Sequence, residues 1–248
     1  MSPGRFTVRS PRTGAAADLI AYGHWGRPVL VFPAESGRAE DIGTNGLIDA
    51  VGALIDAGRV KLYAVDSADA WSWSDRSIPL EERARRHEQY EAWILEAVVP
   101  WIHADCGGPH EILTTGVSLG AYHAVNVALR HAHLFPVAIG LSGNYDPSSW
   151  YAWGERGDSS YFNIPTDYVP HLHGDHLDWL RRQLTVVLVV GEGAWEVDPT
   201  GALPSTRRLA GQLQDKGIRC ELDVWGPDAP HDWPSWRRQL AHHLPRFC

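Results

Sequence analysis

The stretch Glu111-Ile-Leu-Thr-Thr-Gly-Val-Ser-Leu-Gly120 decides the fold class of this 248-residue chain. It predicts a strand that ends at Thr115 and a helix that begins at Leu119, with a Gly-x-Ser-x-Gly motif in the sharp turn between them. Such a turn brings the backbones of the strand and the helix too close for side chains, so glycine is needed at both ends of the motif. The turn also holds the serine in a strained conformation with its hydroxyl projecting. We therefore expect Ser118 to be a nucleophile, and an ordinary tight turn with a capping serine is the alternative.

Short β-rich segments alternate with longer helical segments on both sides of this turn. This order predicts an α/β fold with a mostly parallel central sheet and helices on both faces, preceded by two antiparallel strands. No repeat or long linker divides the chain, so residues 1–248 are expected to form a single domain. Residues 143–182 are polar, aromatic and irregular, and an insertion of this kind is a usual place for a substrate wall. The predicted strands are 6–10, 19–23, 28–33, 60–65, 111–115, 136–141, 185–190 and 220–225, and the predicted helices are 47–57, 79–104, 119–134, 175–183, 205–216 and 235–244.

Composition and charge exclude several classes of partner. The chain has 22 Lys and Arg against 30 Asp and Glu, a formal net charge of -8, so a wide basic surface for nucleic acid is not expected. No segment approaches the roughly 18 apolar residues of a membrane-spanning helix, and the first residues lack the apolar centre of a secretory signal. We therefore expect a soluble, cytoplasmic protein that binds neither nucleic acid nor membrane. The oligomeric state stays open, and a homodimer is among the possibilities.

A serine hydroxyl is a weak nucleophile at neutral pH and needs a base that accepts its proton. His231 is the candidate base among the 13 histidines of the chain. It lies in the segment 226–236, after the last predicted strand and before the last helix, which places it over the same edge of the sheet as Ser118. The alternative is a histidine that only packs in the loop.

A third residue, a carboxylate, is expected after the predicted strand 185–190, where it would orient the imidazole ring of the base. The segment that follows this strand contains three acidic residues. Glu192 lies so close to the end of the strand that we expect it below the histidine, whereas Glu196 has room to reach back. We favour Glu196 and keep Glu192, Asp198 and, further off, Asp146 as alternatives. The order serine, carboxylate, histidine along the chain is that of the α/β-hydrolase fold.

Backbone N–H groups are expected to stabilise the oxyanion that forms when the serine attacks. One donor should be the N–H of Leu119 at the start of the helix after the turn. A second should come from the loop Pro33-Ala-Glu-Ser-Gly37, in which Ala34 or Glu35 would supply the amide. The His-Gly pair that is usual at this place is absent.

Four segments together resemble the putative-esterase family of α/β-hydrolases, from about Pro28 onward. That family includes S-formylglutathione hydrolases, feruloyl esterases, siderophore esterases and mycolyltransferases. The resemblance implies a compact esterase fold without a large separate cap domain, in which the serine carries a covalent acyl group. The three catalytic roles then correspond to Ser118, His231 and Glu196. The four segments are Gly116-Val-Ser-Leu-Gly120, Gly143-Asn-Tyr-Asp146, Tyr161-Phe-Asn-Ile-Pro165 and His231-Asp-Trp-Pro-Ser-Trp236.

These observations predict a serine carboxylic-ester hydrolase that acts on a small-molecule ester and needs no metal or organic cofactor. An acyltransferase that uses the same three residues is the alternative within the same chemistry. A non-catalytic binding protein on a hydrolase fold is the alternative of a different class, because a fold does not guarantee an activity.

The segment His171-Leu-His-Gly-Asp-His176 resembles the zinc-binding motif of metallo-β-lactamase-like hydrolases. In that fold the motif follows a buried strand, whereas here Tyr168-Val-Pro precedes it and a helix-like segment follows. We therefore expect a polar loop that leads into a helix, with Asp175 as its cap, and no metal site.

The chain has 12 tryptophans, an unusually large number. Those on predicted helices are explained by packing. Seven others lie at or after predicted strand ends, on the side of the sheet where the serine and the histidine are expected. They predict an aromatic-walled cleft that favours bulky, apolar or aromatic esters. The seven are Trp71, Trp73, Trp150, Trp153, Trp195, Trp225 and Trp233, of which Trp71, Trp153, Trp195 and Trp233 are predicted to contact substrate.

Overall fold

The computed structural model describes residues 3–248, and in this range eight strands form one sheet. Their positions agree with the eight predicted strands to within a few residues. The strands are β1 (Gly4–Arg9), β2 (Ala16–Tyr22), β3 (Arg27–Phe32), β4 (Val60–Val65), β5 (Leu113–Val117), β6 (Val137–Leu141), β7 (Thr185–Val190) and β8 (Arg219–Val224).

The strands lie in the order β1-β2-β4-β3-β5-β6-β7-β8. β2 is antiparallel to both of its neighbours, and all the other adjacent pairs are parallel. The mostly parallel sheet with an antiparallel opening pair is therefore confirmed. Because β5 to β8 run in the same direction, the segments that follow them meet at one edge of the sheet.

The α-helices of the described chain cover both faces of the sheet. None of them is long and apolar enough to span a bilayer in the range 3–248. The helices are α1 (Asp41–Thr44), α2 (Leu47–Ala50), α3 (Gly52–Asp56), α4 (Leu80–Trp93), α5 (Val99–Asp105), α6 (Leu119–Arg130), α7 (Asp158–Phe162), α8 (Pro165–Tyr168), α9 (Gly174–Gln183), α10 (Ala202–Asp215) and α11 (Trp233–His243).

Two hydrophobic cores lie on the two faces of the sheet, and β3 shows how the sequence divides between them. Leu30 and Phe32 belong to the core shared with α4, α6 and α10, whereas Val29 and Val31 belong to the core shared with α2 and α11. Successive residues of a strand point to opposite faces, so a strand covered on both faces is apolar throughout. The uninterrupted apolar run of β3 therefore follows from its central position.

Three helical segments differ from the prediction. The expected helix 47–57 is divided at Val51 into α2 and α3. The expected helix 79–104 is interrupted by a π-helical segment, Ile94–Val98, and Pro100 occupies the first turn of α5. A proline is tolerated in the first turn of an α-helix because the N–H that it lacks would have no acceptor within that helix. The insertion 143–182 is more helical than expected, since α7 and α8 are too short to show helical periodicity in the sequence.

Candidate active site

The turn between β5 and α6 holds Ser118 in the left-handed region of the backbone, with φ of 56°. A Cβ atom at Gly116 would lie 2.2 Å from the carbonyl oxygen of Gly120, and a Cβ atom at Gly120 would lie 2.2 Å from that of Pro33. Neither position has space for a side chain. The two glycines therefore allow the strand, the turn and the helix to approach closely enough to present the serine.

The close approach of Gly120 to Pro33 predicts a large loss of stability in the variant Gly120→Ala. The added methyl group would overlap backbone atoms that cannot move independently, which should cost about 3 kcal/mol or more. We expect a decrease in Tm of roughly 10 °C in a thermal melt. Gly211→Ala is the matched control, because Gly211 lies within α10 with open space around its Cα. That variant should be as stable as the parent chain or slightly more stable, and equal melting of both variants would contradict the prediction.

The structure brings Ser118, His231 and Glu196 into one line of hydrogen bonds. His231 Nε2 lies 2.9 Å from Ser118 Oγ, and His231 Nδ1 lies 3.1 Å from Glu196 Oε2. The carboxylate of Glu196 accepts only, so Nδ1 carries the ring proton and Nε2 is free to accept the proton of the serine hydroxyl. This arrangement can convert the serine into a nucleophile.

Glu196 is fully buried, and the second oxygen of its carboxylate is also engaged. Ser142 Oγ donates to Oε1 at 2.6 Å, and the N–H of Gly191 donates to the same atom at 3.3 Å. A buried carboxylate with donors on both oxygens keeps one orientation. Ser142 directly follows β6, at the edge of the sheet where functional side chains collect, but the sequence analysis did not identify it.

The three alternative acids lie elsewhere. Glu192 is exposed and forms an ion pair with Arg207 at 2.7 Å. Asp198 is exposed, and Asp146 accepts the N–H of Ser148 at 3.1 Å. Within residues 3–248, Glu196 is the one of these four carboxylates that contacts His231.

Close packing between the loops after β7 and β8 brings the acid and the histidine together. A Cβ atom at Gly191 would lie 1.7 Å from the carbonyl oxygen of Ala229, so the first loop contacts the second through bare backbone. The N–H of His231 donates to the carbonyl of Ala194 at 2.9 Å. These contacts place the histidine opposite the glutamate across the two loops.

Of the candidate oxyanion donors, Leu119 directly follows Ser118 in the chain, and the others lie in the loop 33–37. The N–H of Leu119 is in the first turn of α6, where backbone N–H groups have no partner within the helix. Across the cavity, the loop 33–37 is folded by two hydrogen bonds, from the N–H of Ser36 to Asp69 Oδ2 at 3.2 Å and from Gly37 to Ala34 at 2.9 Å. Of the two candidate residues in this loop, Glu35 lines the cavity that contains Ser118.

A cavity of about 330 Å³ opens above Ser118 and His231. Its aromatic lining comes from Trp73, Trp150 and Tyr151, in two loops that are far apart in the sequence. Polar side chains line it as well. Those that the sequence analysis missed are Ser74, Arg76, Ser142, Asn144 and Thr200.

Four tryptophans were predicted to contact substrate. Within residues 3–248, none of them is among the residues that line this cavity. Trp71 lines a second cavity of about 310 Å³, and Trp195 is 60% exposed. Trp233 packs edge-on against Trp236, with ring centroids 5.2 Å apart. Trp153 donates from Nε1 to a backbone carbonyl of the neighbouring loop. The aromatic residues in the lining of this cavity are Trp150, Tyr151 and Trp73, of which Trp73 is fully buried.

The histidine-rich segment 171–176 does not bring its ligand atoms together. His171 Nδ1 lies 3.1 Å from the carbonyl of Asp167, His173 precedes α9, and Asp175 lies in the first turn of that helix instead of capping it. Among residues 3–248, one cluster of three potential metal ligands is present, and it consists of Asp223, His242 and His243. Both ring nitrogens of His243 are already engaged there, by Asp223 and by Arg246.

Comparison with known proteins agrees with the geometry. The family described as "Putative esterase" matches residues 47–247, and no curated protein sequence matches the chain. Among solved structures, a ferulic acid esterase superposes with a TM-score of 0.77 at 14% identity and covers 99% of this chain and 96% of its own. MPT51 of Mycobacterium tuberculosis has a TM-score of 0.74 at 17% identity, covering 99% and 97%. S-formylglutathione hydrolase from Staphylococcus aureus has a TM-score of 0.70 at 13% identity, covering 99% and 95%. Identities this low establish the fold alone, whereas the family match extends over most of the sequence. The chain therefore belongs to the Putative esterase family and is an esterase with the α/β-hydrolase fold.

Proposed function

We propose that the chain hydrolyses carboxylic esters through an acyl-enzyme on Ser118, with His231 as the base and Glu196 as the acid of a catalytic triad. The observation that carries the proposal is the continuous line of hydrogen bonds that joins these three side chains beneath an open cavity. A strained serine between two glycines that have no space for side chains supports it.

Acylation begins when Ser118 Oγ attacks the ester carbonyl while His231 Nε2 accepts the hydroxyl proton. Glu196 holds the ring by Nδ1 and stabilises the imidazolium that forms. The carbonyl oxygen becomes an oxyanion, which the N–H of Leu119 and the N–H of Glu35 stabilise. The carbon–oxygen bond to the alcohol then breaks, and His231 returns its proton to the departing alcohol.

Deacylation repeats these steps with water as the nucleophile. His231 accepts a proton from the water, whose oxygen attacks the acyl carbon. The bond to Ser118 Oγ then breaks, and the proton on the histidine restores the serine hydroxyl. The products are one carboxylic acid and one alcohol, and no cofactor takes part.

The shape of the cavity supports a bulky or aromatic ester as the substrate. Trp150 and Tyr151 present aromatic surfaces to it, which favour a ring or a branched chain over a small polar group. Residues 143–182 form part of this wall through Asn144, Trp150 and Tyr151. Residues 1–248 act as a single domain in this proposal.

Reaction with a fluorophosphonate probe tests the role of Ser118, because phosphonylation requires a serine that is already activated. We expect one label per chain, located on Ser118 by peptide mass analysis, and loss of ester hydrolysis in proportion to labelling. Denatured protein is the control and should remain unlabelled. A folded protein that does not react would favour a non-catalytic binding protein. Product analysis with a competing alcohol would show whether acyl transfer replaces hydrolysis.

A further inference from the structure

A guanidinium group forms part of the wall of the cavity that contains Ser118. Arg76 lies in the segment before α4, and its Cζ is 4.2 Å from the ring centroid of Tyr151. Stacking of this kind covers one face of the guanidinium and leaves the N–H groups on its edge available to donate. Among residues 3–248, no carboxylate oxygen lies within 4.0 Å of the nitrogens of this guanidinium, so Arg76 forms no ion pair there.

The backbone of Arg76 is anchored as well as its side chain. Trp153 Nε1 donates to the carbonyl oxygen of Arg76 at 3.0 Å, and the N–H of Leu80 donates to the carbonyl oxygen of Trp153 at 2.8 Å. These bonds join the segment 73–80 to the segment 150–153. Arg76 is exposed to solvent, and its anchored backbone together with the contact between its guanidinium and Tyr151 places the guanidinium in the cavity lining.

A second arginine lies behind the same wall. Arg83 is fully buried, and its guanidinium donates to the carbonyl oxygens of Trp73 at 3.4 Å and Trp150 at 3.2 Å, both of which line the cavity. Its acceptors are neutral carbonyls, so its positive charge is not cancelled by direct contact with a carboxylate. The charges of Arg76 and Arg83 add on this side of the cavity.

Two carboxylates lie near this wall. Asp75 pairs with Arg86 at 3.3 Å. Glu35, which lines the same cavity, accepts a hydrogen bond from Ser74 Oγ. Arg83 and Arg86 donate to acceptors of the protein, whereas the guanidinium of Arg76 has no hydrogen-bond acceptor within residues 3–248 and is available to a ligand.

We propose that Arg76 binds a carboxylate group of the substrate, so that the preferred substrates are esters that carry a negative charge on either the acyl or the alcohol part. This inference rests on the proposed function of Ser118, since it names the class of ester that the same site accepts. A planar guanidinium can hold a carboxylate with two parallel hydrogen bonds, which gives both affinity and orientation.

Kinetics on matched esters test the proposal. 4-Nitrophenyl hemiglutarate carries the carboxylate on the acyl part and is compared with 4-nitrophenyl pentanoate. 4-Acetoxybenzoate carries it on the alcohol part and is compared with phenyl acetate. We expect one charged ester to have a kcat/KM roughly tenfold above that of its neutral partner. Arg76→Gln should remove about tenfold from this ratio, mainly through KM, and Arg76→Lys should retain part of it. The pair that responds identifies the end of the substrate that Arg76 contacts.

Arg85→Gln is the matched control, because Arg85 is exposed on α4 and pairs with Glu82 at 3.7 Å. It should leave the ratio unchanged. Equal kcat/KM for charged and neutral esters in the parent enzyme, or a ratio that Arg76→Gln leaves unaltered, would overturn the proposal while hydrolysis itself continued.

A binding measurement separates this proposal from that of Ser118. Calorimetry with the Ser118→Ala protein compares monomethyl glutarate and 4-acetoxybenzoate with their neutral partners, methyl pentanoate and phenyl acetate. We expect one charged ligand to bind more tightly than its neutral partner, and the added change Arg76→Gln to abolish the difference. That result without turnover by the parent chain would support the carboxylate site and contradict the esterase mechanism. Equal binding would contradict the carboxylate site alone.

Discussion

Replacing Ser118 by alanine should lower kcat for a nitrophenyl ester by about 10⁴-fold or more, which is the scale of loss when a nucleophile of this kind is removed. The reason is that no other group can form the covalent acyl intermediate, although the oxyanion donors and the cavity remain. The structure should be unaffected, because within residues 3–248 the hydroxyl forms one side-chain hydrogen bond, with His231 at 2.9 Å. Steady-state kinetics together with a thermal melt would measure both effects.

The control for this variant is Ser159→Ala, since Ser159 lies on α7 and outside the cavity lining among the described residues. It should retain the activity of the parent chain. If Ser118→Ala retained more than a few per cent of the parent kcat with an unchanged melt, Ser118 would not be the nucleophile.

Replacing Glu196 by glutamine should lower kcat by about 10³-fold with little change in KM. An amide has nearly the same shape but is neutral, so it stabilises the imidazolium less and no longer enforces the proton on Nδ1. It can also present its NH₂ group to Ser142 or Gly191, which donate to the present carboxylate oxygen. Hydrolysis rates at saturating ester, with a melt to confirm folding, would measure the loss.

Glu192→Gln is the comparison that identifies the acid. Glu192 is exposed, and its pair with Arg207 lies on the surface, where such pairs contribute little. We expect kcat within about twofold of that of the parent chain. A larger loss in Glu192→Gln than in Glu196→Gln would transfer the role of the acid to Glu192.

Much of the fold could be predicted because its signals are local. The β-rich segments around Val29 and Val187 are apolar without interruption, which indicates strands covered on both faces. The helix boundaries were less accurate. The division at Val51 and the π-helical segment before Pro100 depend on how these residues pack against the sheet, which no short pattern records.

The candidate site divides in the same way. Ser118 could be predicted as the candidate nucleophile from two glycines and a serine at a strand end. His231 could be predicted as the candidate base from its place after the last strand. The sequence favoured Glu196 over Glu192 and Asp198 but left all three open, because three carboxylates in one loop differ only in which way the loop turns. Gly191 packs bare backbone against Ala229, and that long-range contact sets the turn.

The wall of the cavity shows the same limit more strongly. Its aromatic character follows from the number of tryptophans and from the edge of the sheet to which they belong. The individual members do not, because the segments 73–80 and 150–153 meet through the buried guanidinium of Arg83 and the indole of Trp153.

By itself the sequence indicated the strands of the sheet, the strained serine and the histidine, because each is marked by a pattern of residues that are neighbours in the chain. Only the tertiary structure showed which carboxylate contacts His231, which donors hold that carboxylate, and which side chains line the cavity above the serine. Those features arise where loops separated by tens of residues pack together, and their geometry is set by contacts between backbones that no local pattern encodes.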